Sequence, residues 1–170
     1  MMPNTAFADS DPAASAAAFA AGLQAEQEAL GAFISLLQAE QEALVQGDAE
    51  RLAAVASDKS IQIDLLSLLG KQRKHHLAAQ NLTDSADGML TWLNRNQGFA
   101  AAVRKIWREL LARAESARQL NQCNGLLIES RLQQNRIRLA ALQTGAASGG
   151  IYRADGQFGP LRSTRCFSLV

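Results

Sequence analysis

The chain has 170 residues, enough for one domain, and its aromatic content of 5% excludes a core packed with rings. Alanine and leucine dominate instead, so apolar area has to be buried along helix seams. The net charge of +1 excludes the strongly basic footprint of a nucleic-acid binder.

That near-neutrality conceals an uneven distribution. Residues 1–48 carry seven acids and no Lys or Arg, residues 49–90 carry five of each sign, and residues 91–170 carry twelve basic residues against four acids. Such complementary segments attract each other within one fold or select separate partners. No apolar run approaches the roughly 20 residues of a membrane span, which argues against stable membrane insertion. The opening Met1-Met2-Pro3-Asn4 lacks the basic and apolar regions of a secretory signal, and a cytoplasmic location is expected.

Residues 1–15 are small and polar with Pro3 and Pro12, which predicts a disordered lead-in. A helical domain is expected over 16–143. In its first helix Gln24–Leu30 reads Gln-Ala-Glu-Gln-Glu-Ala-Leu, and Gln38–Leu44 repeats it two heptads later. Leu23, Leu30, Leu37 and Leu44 fall seven apart, with Ala20, Gln27, Ile34 and Gln41 three before each, a coiled-coil spacing weakened by its glutamines. Glu26/Glu28 and Glu40/Glu42 read most simply as a solvated face. Gly47-Asp48 ends this helix, and Asp48 can cap the next.

A second helix is expected over Ala49–Ala79, with Leu52, Val55, Ala56, Ile63, Leu66 and Leu69 on one side. Its last turns hold Lys71, Arg73, Lys74, His75 and His76, cations that suit the negative end of the helix dipole. Adjacent histidines lack the i, i+4 spacing of a helical metal site, so His75-His76 reads as a solvated helix end.

After the connection Asn81–Asp84 a third helix is expected from about Asp84 to Gln143, kinked or interrupted at Asn94–Gly98. Val103, Trp107, Leu110, Ala114 and Ala117 form its seam, and Trp92 and Trp107 read as core. Beyond them the seam positions become Asn121, Asn124, Ile128, Arg131 and Asn135. Helices of about 31 residues reach roughly 47 Å, whereas about 60 residues reach roughly 90 Å. The fold class is therefore all-α: an elongated antiparallel three-helix bundle or coiled coil with a long third helix. Its far half should leave Leu120, Leu127, Ile128, Leu132, Leu139 and Leu142 without intramolecular partners, as at interaction sites. Gly125, inside this helix, suggests a close helix contact. A Gly/Ser-rich linker follows, so 144–170 is expected as a flexible tail carrying Tyr152 and the turn signal Asp155-Gly156.

No catalytic residues can be assigned: there is no Gly-rich phosphate loop and no Cys/His nucleophilic pair in register. Cys123 and Cys166 give neither a disulfide framework nor metal-ligand spacing, so no metal and no cofactor is expected. Basic residues on the third helix are interspersed with acids and spread around it, which disfavours nucleic acid as a partner. A substrate-protein surface is expected at Leu120, Asn124, Leu127, Ile128, Leu132, Asn135 and Leu139, where a partner helix would bury leucines while asparagines fix its placement.

From Glu40 to Gly156 the sequence resembles the FlgN family of flagellar type III export chaperones. The resemblance rests on Glu42, Ala43, Leu44, Gly47, Asp48, Leu52, Lys59, Leu66, Leu69 and Arg73, and on Asn124, Gly125, Leu127, Ile128, Arg131, Asn135, Leu139 and Leu142. Tyr152, Asp155 and Gly156 complete it, although the Gly/Ser linker and the extension past Gly156 depart from the family pattern. It implies a cytoplasmic helical chaperone that binds the C-terminal helical regions of the hook-filament junction proteins and keeps them from premature assembly or degradation. It also implies docking to the cytoplasmic domain of the flagellar export gate through Tyr152, Asp155 and Gly156. The alternative reading is a generic coiled-coil adaptor or self-associating bundle, a homodimer when free.

Overall fold

A computed structural model describes residues 12–148, with side chains over 13–144. Four helices and no strand occur among the described residues: α1 (Pro12–Gln46), α2 (Ala49–Ala79), α3 (Ala86–Arg95) and α4 (Gln97–Ser148). The first helix starts earlier than the expected Ala16, at Pro12, whose fixed φ suits a first helical position. The chain divides into two units at Leu127 and Ile128.

The turn between α1 and α2 is made as its sequence dictates. Gly47 takes φ 75°, and its N–H and that of Asp48 both donate to the Ala43 carbonyl at 2.8 and 3.0 Å. Asp48 then caps α2 by accepting from the Arg51 N–H at 2.9 Å. At the other end of α2, Asn81 adopts φ 56°, a left-handed position asparagine tolerates.

The third helix is interrupted within the expected Asn94–Gly98 stretch, which divides it into α3 and α4. Ser85 caps α3 by accepting from the Gly88 N–H, and α3 ends where Asn96 turns its own side chain onto the backbone, Nδ2 to the Trp92 carbonyl at 2.9 Å. An amide that bonds locally competes with helical continuation, which is why the break falls there. Asp84, expected at the helix start, pairs with Arg73 instead.

In the first unit α1 lies between two neighbours. Glu40 meets Lys59 and Glu26 meets Arg73, so α2 runs antiparallel to α1. Gln27 bonds Glu109, and Asn124 bonds the Leu37 carbonyl, so α4 runs alongside α1 in the same direction. The leucine repeat of α1 forms the spine: Leu23, Leu30, Leu37 and Leu44 are all buried. On α4 the matching spine is Val103, Leu110, Ala117 and Asn124, again seven apart and all buried. At one end Met89, Trp92 and Leu93 of α3 close the core, at 0–1% exposure.

Two sequence readings are corrected at that end. His76 is half-buried, stacked on Phe19 with ring centroids 4.2 Å apart and planes at 12°, and 6.4 Å from the Trp92 ring, so it belongs to an aromatic cluster and not to a solvated helix end. Gly125 has no heavy atom within 4 Å of where a Cβ would stand, so no helix approaches it. Close approach occurs at Gly31, over which Arg113 passes to donate to the Gln27 carbonyl at 3.2 Å.

The second unit, described by itself, carries the remainder of α4. Ile128, Leu132, Ile137, Leu139 and Leu142 are all exposed there among the described residues, whereas Leu120 and Leu127 of the first unit, also expected to lack intramolecular partners, are half-buried, Leu120 against the core.

Candidate functional site

Two features of α4 distinguish it: a buried polar node and an exposed apolar stripe. The node forms around Asn124, which is 1% exposed. Its Nδ2 donates to the Leu37 carbonyl and to Glu40 Oε2, both at 2.8 Å. Glu40 also accepts from Lys59 Nζ at 2.8 and 2.9 Å, and Lys59 reaches Asn121 Oδ1 at 3.4 Å. Three helices thus meet through one carboxylate. Asn124 Oδ1 is left with no protein donor. A buried amide in a heptad spine costs stability and selects one helix arrangement.

Two heptads along α1 the same chemistry recurs. Glu26 accepts from Arg73 Nε at 2.9 Å, and Arg73 also bonds Asp84 and lies 5.3 Å from the Trp107 ring centroid. Glu26 and Glu40 are 8% and 9% exposed, which corrects their reading as a solvated face. Their neighbours Glu28 and Glu42 do face solvent, Glu42 pairing with Arg51 at 2.9 Å. The signal was present in the sequence: Glu26 and Glu40 stand fourteen apart, and so do Lys59 and Arg73 on the antiparallel helix.

The residues expected to hold a partner helix separate accordingly. Asn124 is engaged inside the bundle, Leu120 is half-buried and packs against the core, and Leu127 is half-buried. In the second unit Ile128, Leu132 and Leu139 are 40%, 52% and 59% exposed, and Asn135 is exposed. Their spacings of four, three and four put these residues on one helical face. Tyr152, Asp155 and Gly156 lie outside the described residues, as does Cys166. Cys123 is exposed.

On the exposed surface of α4, hydrogen bonds from Arg118 and then Gln119 hold the Glu115 carboxyl down to about 2, and the same pairing raises Arg118. Burial, with the neighbouring His75 charge, lowers His76. Among the described residues no group of three or more His, Cys, Asp or Glu could hold a metal ion, and no helix is long and apolar enough to cross a membrane. The second unit presents an exposed apolar stripe.

No curated protein and no solved structure matches the chain. The family model described as FlgN protein matches residues 15–158, 144 of the 170 residues, and so spans the heptad spines, the polar node and the stripe. The chain therefore belongs to the FlgN family of flagellar export chaperones.

Proposed function

We propose that the chain binds the C-terminal helical regions of hook-filament junction proteins along the α4 stripe and delivers them to the cytoplasmic domain of the export gate. The observation that carries this reading is the exposure of Ile128, Leu132 and Leu139 on one face of a helix within a family of export chaperones. An amphipathic client helix would cover these side chains, with Asn135 meeting a polar group of the client. Leu127 would contribute from the neighbouring turn. Leu120 and Asn124 would act indirectly, by fixing the helix that presents the stripe. The protein would act in the cytoplasm, keeping clients from assembling or being degraded before export.

Tyr152 is the proposed gate contact. An aromatic ring with a hydroxyl can fill an apolar pocket while its oxygen, Asp155 and the turn at Gly156 meet a polar rim. The two contacts are separable by experiment. Leu132→Asp with Leu139→Asp should abolish co-purification with a junction-protein C-terminal fragment while leaving circular dichroism unchanged; undiminished capture would remove the stripe from the mechanism. Tyr152→Ala should leave client capture and thermal stability intact and weaken binding to the gate domain. A lowered melting temperature with unaltered gate affinity would make Tyr152 a structural residue.

A further inference from the structure

The α1–α2 pair has a face that α4 does not touch. On α1, Gln27 and Gly31 meet Glu109 and Arg113 of α4. Ala18, Gly22, Ala25, Ala32 and Leu36 lie on the other side of the α2 contact along one helical stripe, Leu36 half-buried and the others exposed. None is charged, and four of the five are alanine or glycine. Beside them on α2, Ile61, Leu65 and Leu68 stand 66%, 41% and 53% exposed. Two shallow depressions on this face are lined only by α1 and α2: Ala18, Gly22, Leu69 and Gln72 contribute to one, Ala32, Leu36, Asp58 and Ile61 to the other. A floor of small side chains therefore runs along a ridge of large ones, both open to solvent.

We propose that this face pairs with the same face of a second copy, about a twofold axis parallel to the helices. That axis sets α1 of one copy against α2 of the other, so each ridge meets the partner's floor. Levels along the helices are preserved by the rotation. Ile61 shares a depression with Ala32, so it arrives over the partner's Ala32; one and two turns further along α2, Leu65 and Leu68 arrive at the levels between the partner's Ala32 and Ala25. Asp58 arrives opposite the partner's Ser35 and Leu36 and not opposite its own copy. A single foreign helix could cover the floor or the ridge, whereas a second copy supplies both complements at once.

The area sets the strength. Ala18 to Leu36 spans ~27 Å along the helix, and two helices side by side are ~20 Å wide, which gives ~500 Å² per copy. The total of ~1,000 Å² lies at the lower edge of stable interfaces, so the dimer should be concentration-dependent.

Sedimentation of the full chain from about 1 to about 500 µM tests this. The mass should rise from 18.2 kDa toward twice that value. Leu65→Glu should weaken dimerisation by about 30-fold or more, as for an interface anchor. Ala32→Glu and Ile61→Lys should each act similarly, and mixing these two variants should restore a dimer through the new charge pair. All three sites are exposed, and circular dichroism will show that each variant folds. Leu132→Glu, on the client stripe, should leave dimerisation unchanged, which keeps the inference independent of the proposed client site. A chain that stays monomeric over the whole range overturns the proposal, as does a dimer that survives Leu65→Glu or is lost with Leu132→Glu.

Discussion

Asn124 is the residue whose replacement best separates a structural role from a client-binding one. Its side chain makes one hydrogen bond to a neutral carbonyl and one to a carboxylate, both 2.8 Å long. Loss of the first costs about 1 kcal/mol and loss of the second about 2 kcal/mol. Relief of the unpartnered Oδ1 returns about 1 kcal/mol, while the space left by truncation removes a similar amount. Asn124→Ala should therefore destabilise the fold by about 3 kcal/mol, read from urea denaturation followed by circular dichroism with an unchanged slope. Asn124→Asp adds a sharper signature, because it puts a second carboxylate beside Glu40 where Lys59 is the nearest cation. The new carboxyl would be raised above its unfolded value of about 3.9. The folded state then binds the extra proton, so the penalty is small below that value and grows as pH rises through the folded one. If Asn124→Ala lay within about 0.5 kcal/mol of the parent chain, or if the Asp variant had no such pH dependence, the node would not be holding the three helices together.

Three further outcomes follow from particular contacts. Gly88→Ala would place a Cβ 1.9 Å from the Thr83 carbonyl oxygen, a backbone atom that cannot swing away; the free energy of unfolding should fall by about 3 kcal/mol, with Trp92 fluorescence reporting the disturbance. Gly125→Ala, with open space around it, should stabilise the chain by about 1 kcal/mol and raise the melting temperature, and a decrease would show a contact missing from the fold described here. His76 is lowered by burial and by His75, so its neutral form is the one the fold prefers. That contribution is complete above the unfolded value of about 6.5 and is lost as pH falls below it; His76→Phe, which keeps the stack on Phe19, should flatten the pH dependence of stability between about pH 7 and pH 5.

Much of the fold was legible because local chemistry decides it. The limits of α2 follow from Gly47-Asp48 and the Asn81 turn, and the interruption near Asn96 follows from a cluster of amides and glycine. The leucines at 23, 30, 37 and 44 are buried as their spacing requires. What misled was the choice of flank. A seven-residue leucine repeat has companions three before it (Gln27, Ile34, Gln41) and three after it (Glu26, Phe33, Glu40). Taking only the earlier set left Glu26 and Glu40 for solvent. In the fold both flanks are covered, because α1 has α2 on one side and α4 on the other, and each buried acid finds a cation on α2. The placement of His76 was hidden for a different reason: its stacking partner Phe19 comes from another helix, a contact no local pattern encodes. Gly125 misled in the opposite direction, since a glycine inside a helix invites a packing explanation that open space does not support. On the α4 stripe, periodicity found the exposed apolar face but could not tell that Asn124, on the same seam, turns inward to bond Leu37 and Glu40.

The fourteen-residue spacing of the two buried ion pairs has a consequence for how the hairpin threads. Leucines every seven residues would let α2 slide along α1 by one heptad with its apolar contacts nearly intact. In one such slipped state Glu40 faces Leu52 and Glu26 faces Leu66, while Lys59 and Arg73 face Phe33 and Phe19. Four charges would then be stripped of partners in an apolar seam, a far larger penalty than the pairs return when correctly met. The acids thus work as a coarse vernier laid over a fine one: the leucines make helices adhere at any tick, and the charges admit one mark.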